Sequence, residues 1–192
     1  MRTKDFNETD ILRKAITLFW QKGYHATSLY DLIEELGIGR SSIYHAFGDK
    51  HNLFLKALEL YQQEATARIQ GLLNNAPSVK AAVKQLLQQV VNDVFTDACP
   101  KGCFKINSEV EVAASDELIK KLVAEDDLII EKALYQAIKK GQANGEISAS
   151  KKPKALARFI CNTVTGMRVY AKFRHDRQFF DDIVETTLSV IS

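Results

Sequence analysis

Apolar residues recur at helical spacing along nearly the whole chain, and no stretch alternates as a half-buried strand would. Ile11, Leu12, Ala15, Ile16, Leu18 and Phe19 form a first stripe, opening at Asn7 or Thr9 and closed at Lys22 by Gly23. Leu29, Leu32, Ile33 and Leu36 form a second. Thr27 or Ser28 can cap it, and Asp31 stands three residues beyond Ser28, close to a capping-box spacing. Gly37 ends this helix, Ile38 and Gly39 make a turn, and Ser41–Phe47 reads as a third helix anchored by Ile43 and Phe47. Gly48 breaks it, and Asp49 caps a long helix from Lys50 to Asn74 that buries Leu53, Phe54, Ala57, Leu58 and Tyr61. Further helices are expected near 78–97, 105–113, 115–143, 154–174 and 177–191. Pro77, the ACPKGCF segment, Asn144–Gly145 and the polar Ser148–Pro153 separate them. The pattern predicts an all-α chain of about nine helices. Two short helices joined by a glycine turn within Thr27–Phe47 make a helix-turn-helix.

Charge sharpens this picture. The net charge is +2. Residues 1–60 hold eight Lys/Arg and eight Asp/Glu, residues 61–150 ten and twelve, and residues 151–192 eight and four. A nucleic-acid-binding head is ordinarily basic, so binding by this head must rest on a few placed groups. Cys99, Cys103 and Cys161 are an odd number and suggest no disulfide framework. Neither they nor His25, His45, His51 and His175 have metal-ligand spacing, so no metal or cofactor is expected. There is no nucleophile–base set and no phosphate-binding glycine loop, which leaves an enzyme without support. No apolar run is long enough for a bilayer, and MRTKDFNETD lacks the apolar core of a signal peptide, so a cytoplasmic location is expected.

The stretch ILRKAITLFWQKGYHATSLYDLIEELGIGRSSIYHAFGDKHNLF carries further markers in order and spacing. They are Leu-Phe before Gly23–Tyr24, the Thr27–Ser28 start, Leu36–Gly37, Ile43–Tyr44, Phe47, and Lys50 followed by Leu53. It resembles the TetR family of bacterial repressors over about a quarter of the chain. The chain departs from that pattern at Leu36, where the family usually has alanine, at Gly39, often serine, and at Ser41, often glycine. The CPKGCFKINSEVE segment resembles a subgroup with a glycine–cysteine pair at this point.

The resemblance implies a helix-turn-helix domain over 1–48, a connecting fourth helix over 49–74, and a ligand-binding and dimerisation domain over 75–192. A helix entering the major groove needs short side chains and hydrogen-bonding groups near its N-terminus. Arg40, Ser41, Ser42, Tyr44 and His45 supply them. The family pattern implies phosphate contacts from Tyr44 and Lys50, and from Thr27 through its hydroxyl and the amides of its helix start. Arg40 can read guanine or hold phosphate. Arg2 and Lys4 form either an arm to the DNA or a solvated terminus.

For a small-molecule effector, the candidate lining residues are Tyr61, Phe95, Cys103, Phe104, Asn107, Glu109, Tyr135, Asn162 and Met167, polar and aromatic groups scattered on apolar helices. Cys103, at a helix start between Lys101 and Lys105, has the setting of a reactive thiolate, with Cys99 as a resolving partner; the alternative is an ordinary packed thiol. Phe159, Thr163 and Met167, with Phe180, Ile183, Thr187 and Ile191, mark stripes on the last two helices. These can be buried within one chain or against a twin, and the family's pairing through its final helices favours the twin. A homodimer would set two reading helices about 34–36 Å apart on double-stranded operator DNA. The function implied is a transcriptional repressor released by a small molecule or by thiol modification. A ligand-independent DNA-binding or scaffold protein on the same fold is the alternative.

Overall fold

The computed structural model describes residues 6–96 and 102–191. Among them are nine α-helices and no strand: α1 (Glu8–Lys22), α2 (Leu29–Leu36), α3 (Arg40–Phe47), α4 (Lys50–Asn75), α5 (Val79–Phe95), α6 (Phe104–Glu111), α7 (Glu117–Ala143), α8 (Pro153–Tyr170) and α9 (Arg177–Val190). Arg2, Lys4, Cys99 and Lys101 lie outside the described residues. The helix starts follow the capping chemistry. Asn7 accepts from the Thr9 N–H, Ser78 from that of Ala81, and Asp49 from that of Asn52. α8 ends a turn earlier than expected. Asp176 caps α9 by accepting from the Gln178 and Phe179 N–H groups, so the chain must leave the helix before it. It does so through tight turns in which Lys172 and Phe173 donate to the carbonyls of Val169 and Tyr170.

As far as it is described, the chain packs into two compact units, Met1–Glu64 with Cys103–Val123 and Ala65–Gly102 with Ala124–Ser192. α4 and α7 each contribute to both.

In the first unit, α1, α2, α3 and the start of α4 close around Ile11, Ala15, Phe19, Leu32, Leu36, Ile43, Phe47, Leu53 and Phe54. α6 and the start of α7 join this core through Phe104, Val112 and Ile119. Phe54 is its hub, edge-on to Phe19 at 5.0 Å and to Phe104 at 5.6 Å, with Tyr24 tilted at 4.6 Å. Packing therefore places α6 with the helix-turn-helix. The sequence division at residues 48 and 75 follows connectivity; this core follows the aromatic side chain of Phe104.

The start of α2 is a full capping box. The Ser28 Oγ accepts from the Asp31 N–H, and the Asp31 carboxylate accepts from the Ser28 N–H. Lys22 bonds the same carboxylate at 2.6 Å. Together the Lys22 ammonium and the Ser28 hydroxyl and N–H hold Asp31 well below the usual carboxylate value of 3.8. Its folded-state pKa is depressed, so its contribution is present above that value and fades as pH falls below it. Asp31→Asn should lower the denaturant midpoint at pH 7, and the gap to the parent should narrow steadily as pH falls below 3.8 toward the depressed folded-state value. Lys22 is exposed and Asp31 only partly covered, so the gap is small; a gap that does not narrow as pH falls below 3.8 would contradict the assignment.

In the second unit, α5 packs against α8 and α9. Val83, Leu87, Val90, Val91 and Val94 meet Leu156, Ile160, Met167, Phe180 and Val184. The Glu146 carboxylate closes the start of α5, accepting from the Val79 N–H at 3.0 Å and the Lys80 N–H at 2.6 Å. The expected twin-facing stripe is corrected in part here. Met167, Phe180, Thr187 and Ile191 are each about 1% exposed or less, filling this chain's own core. Phe159 is 38% exposed, and Thr163 and Ile183 are half-buried.

Candidate nucleic-acid interface

α3 is held from behind and open in front. Ile43 and Phe47, one turn apart, are buried in the first unit's core. The opposite face carries Arg40, Ser41, Tyr44 and His45, all exposed, with Ser42 half-buried. The Arg40 guanidinium lies 5.4 Å from the centre of the Tyr44 ring, within cation–π range. Gly39 is the N-cap and offers no side-chain bond, and an added Cβ there would meet nothing within 4 Å. The amide-bearing end of α3 is thus unobstructed, an approach suited to an anionic backbone. Gly37 makes the turn possible: it ends α2 in the left-handed region at φ 68° and donates its N–H to the Ile33 carbonyl.

Lys50 begins α4 with its Nζ 4.5 Å from the centre of the Tyr24 ring. Partial burial pushes its pKa down, against the opposing pull of Glu111 and Asp31. Burial, with Asp116 and Asp49 nearby, pushes the Tyr24 phenol up. The other cations here are largely committed to the unit's own acids: Arg13 to Glu64, Lys22 to Asp31, and Lys56 to Glu8.

Thr27 is placed differently from the expectation. It is 1% exposed, and its hydroxyl donates to the Gly23 carbonyl at 2.6 Å. The hydroxyl closes the α1–α2 turn rather than standing ready for a phosphate.

Sequence reasoning missed the residues that fasten this corner. Glu111, the last residue of α6, accepts the Tyr24 N–H at 3.0 Å and the His25 N–H at 2.8 Å. His51 donates from Nε2 to Asp116 at 2.5 Å. Asp116 also accepts from the Leu118 and Ile119 N–H groups. Burial works against the Asp116 charge, but the Ile119 N–H and His51 hold its pKa below the usual value. The Glu111 bonds to Tyr24 and His25 and the His51–Asp116 pair span 65 to 87 residues, and no local signal announces them.

The expected effector-lining residues fall into two groups. Tyr61, Cys103, Phe104 and Asn107 belong to the first unit, and Phe95, Tyr135, Asn162 and Met167 to the second. In the first, Phe104 is a core residue edge-on to Tyr61 at 5.5 Å, and the Tyr61 hydroxyl is 3.4 Å from the Cys103 sulfur. Gln62, also missed, is 3% exposed with neither amide atom hydrogen-bonded. In the second, Met167 is core, Asn162 is exposed, and Phe95 lies edge-on to Phe180. Tyr135 lines a surface cleft of about 470 Å³ with Glu131, Lys132, Lys152, Pro153 and Lys154. Glu109 is half-buried with Lys105 at 3.8 Å. Among the described residues no helix is long and apolar enough to cross a membrane.

Known proteins share this arrangement. Residues 11–57 match the model of bacterial regulatory proteins of the tetR family, and residues 77–187 match the tetracyclin repressor-like C-terminal domain. The uncharacterized HTH-type transcriptional regulator YezE of Bacillus subtilis is 31% identical over 191 residues, covering 99% of this chain and 98% of its own. The HTH-type transcriptional repressor ComR of Escherichia coli is 31% identical over 188 residues, covering 97% and 90%. The structure of a cysteine mutant of the TetR family regulator CifR, complexed with 26-base-pair operator DNA, superposes with a TM-score of 0.88. It is 28% identical and covers all of both chains. Two matched domains, full-length relatives and the shared fold together make this chain a member of the TetR family of DNA-binding transcriptional regulators.

Proposed function

We propose that this chain is a repressor that binds double-stranded operator DNA as a homodimer and is released by a small-molecule effector. The supporting observation is the α3 face: Arg40, Tyr44 and His45 are exposed on a helix whose other face is locked by Ile43 and Phe47. Arg40, Ser41, Ser42, Tyr44 and His45 enter the major groove, and Lys50 holds phosphate beside them. Thr27 contributes by fixing the turn before α2. Residues 1–48 do the reading, 49–74 connect, and 75–192 bind effector and pair, with Phe159, Thr163 and Ile183 the members of the expected stripes left available to a twin. The unpartnered amide of Gln62 offers an effector one donor and one acceptor. Tyr61, Cys103 and Asn107 share its unit, and Tyr135 lines the second unit's cleft. Effector acts by favouring a dimer shape that fits the operator less well. Regulation is the role, with no catalysis, and the cytoplasm the place.

A mobility-shift assay on the DNA flanking its own gene tests this. The expected result is specific binding that weakens as salt rises and is released by some compound in a thermal-shift screen. Binding equal on all sequences would sink the reading, and binding that no compound releases would favour the ligand-independent alternative.

A second signal is supported by Cys103. It is half-buried at the α6 N-cap, with the Tyr61 hydroxyl within hydrogen-bonding reach. CifR was solved as cysteine mutants. N-ethylmaleimide should release the parent from its operator and leave Cys103→Ser bound. Equal release of both by this reagent would remove Cys103 as the responsive thiol.

A further inference from the structure

We propose that Glu111 is a positioning residue for operator binding: its carboxylate, from the end of α6, fixes the α1–α2 turn against the start of α4. This rests on the operator-binding reading above.

The turn from Gly23 to Thr27 satisfies itself only in part. Thr27 closes it with two bonds, from its hydroxyl to the Gly23 carbonyl and from its N–H to the Tyr24 carbonyl at 3.3 Å. The N–H groups of Tyr24 and His25 go to Glu111, one to each oxygen. Two parallel charge-assisted bonds fix orientation as well as distance. Gly23 is shaped to admit this carboxylate. Its φ is 88°, and a Cβ there would stand 3.0 Å from the Glu111 Oε2.

The same corner is fastened a second time. Five residues beyond Glu111, Asp116 bonds His51, the neighbour of Lys50. The Tyr24 ring lies between the two fastenings, near the His51 ring at 6.5 Å and under the Lys50 ammonium at 4.5 Å. The segment from Glu111 to Asp116 thereby ties the turn that carries Tyr24 and Thr27 to the first turn of α4, which carries Lys50. A duplex must find Lys50 and the α2–α3 pair in one fixed relation. Groups held in their bound arrangement beforehand need not be ordered on binding.

Glu111 is not itself part of the Phe19–Phe54–Phe104 packing and reaches it only through the Tyr24 backbone. It is half-buried, and one of its two acceptor bonds is to the exposed His25. Losing it should loosen the turn while leaving the Phe19–Phe54–Phe104 packing intact.

The test uses the full-length protein and the operator fragment bound by the parent. Glu111→Gln is nearly isosteric, but its amide can accept only one of the two N–H groups and turns a donor toward the other. Operator affinity should fall roughly tenfold. Amide exchange should speed up at Tyr24 and His25, with little change in melting temperature. Glu64→Gln, which removes an exposed pair with Arg13, is the control and should bind as the parent does. Parent-like affinity for Glu111→Gln overturns the proposal, as does a loss of affinity matched by an equal loss for Glu64→Gln or by general unfolding on heating. If Glu111→Gln does not fold, His51→Gln removes the second fastening and should lower affinity in the same direction; unchanged affinity there overturns it. If the parent binds no specific DNA, the operator-binding reading falls first and takes this inference with it. If the parent binds and Glu111→Gln binds equally, this inference alone falls.

Discussion

Replacing Phe54 with alanine is expected to destabilise the first unit by about 3–5 kcal/mol, the cost of emptying a fully buried aromatic site. Phe54 is 1% exposed and touches rings from three other parts of that unit, Phe19 on α1, Tyr24 in the turn and Phe104 on α6. No neighbour can collapse into the space without abandoning a contact of its own, which places the cost toward the upper end. Urea denaturation followed at Trp20, whose ring packs on Tyr61 at 5.5 Å, would report it. A double-mutant cycle with Phe104→Ala should show about 0.5–1.5 kcal/mol of coupling from the edge-on pair. A loss under about 1 kcal/mol would mean that this ring is not the hub described.

The second large effect falls on DNA binding. Arg40→Ala and Tyr44→Ala should each weaken operator binding by about 1–3 kcal/mol, roughly 5- to 150-fold, with the melting temperature nearly unchanged. Both side chains stand outside the core, and neither takes part in the packing of Ile43 and Phe47. Because the guanidinium lies over the Tyr44 ring, the double replacement should cost less than the sum of the two. The salt dependence separates two roles for Arg40. Loss confined to the operator means a base contact. Equal loss on every sequence, with the salt slope reduced by about 1, means a phosphate contact. Parent-like binding by both variants would remove α3 as the reading helix.

The helices and their caps were legible because they depend on neighbours in sequence. Ser28 and Asp31 form the box that their spacing suggested, and the glycines at 23, 37 and 48 close their helices as expected. Thr27 marks the limit of that logic. Its hydroxyl was visible, but its acceptor, a carbonyl four residues back, depends on how the turn folds. Periodicity also cannot tell a chamber wall or a partner-facing stripe from ordinary core. Phe104, Met167, Phe180 and Ile191 fit the same apolar spacing as true surface candidates, and the fold buries them. Glu111 was beyond reach altogether, since its partners lie 86 and 87 residues away. Only tertiary packing could have named it.

The ion pairs that hold some of the first unit's cations bear on how the regulator meets DNA of arbitrary sequence. Lys22 and Lys56 are answered by carboxylates of the same unit, so these two add little net positive charge toward arbitrary duplex. Non-specific affinity is almost wholly electrostatic, and the genome outnumbers any operator by millions of competing positions. Cations answered within the unit add little to that competition, so discrimination falls the more heavily on groups such as Arg40 and Lys50.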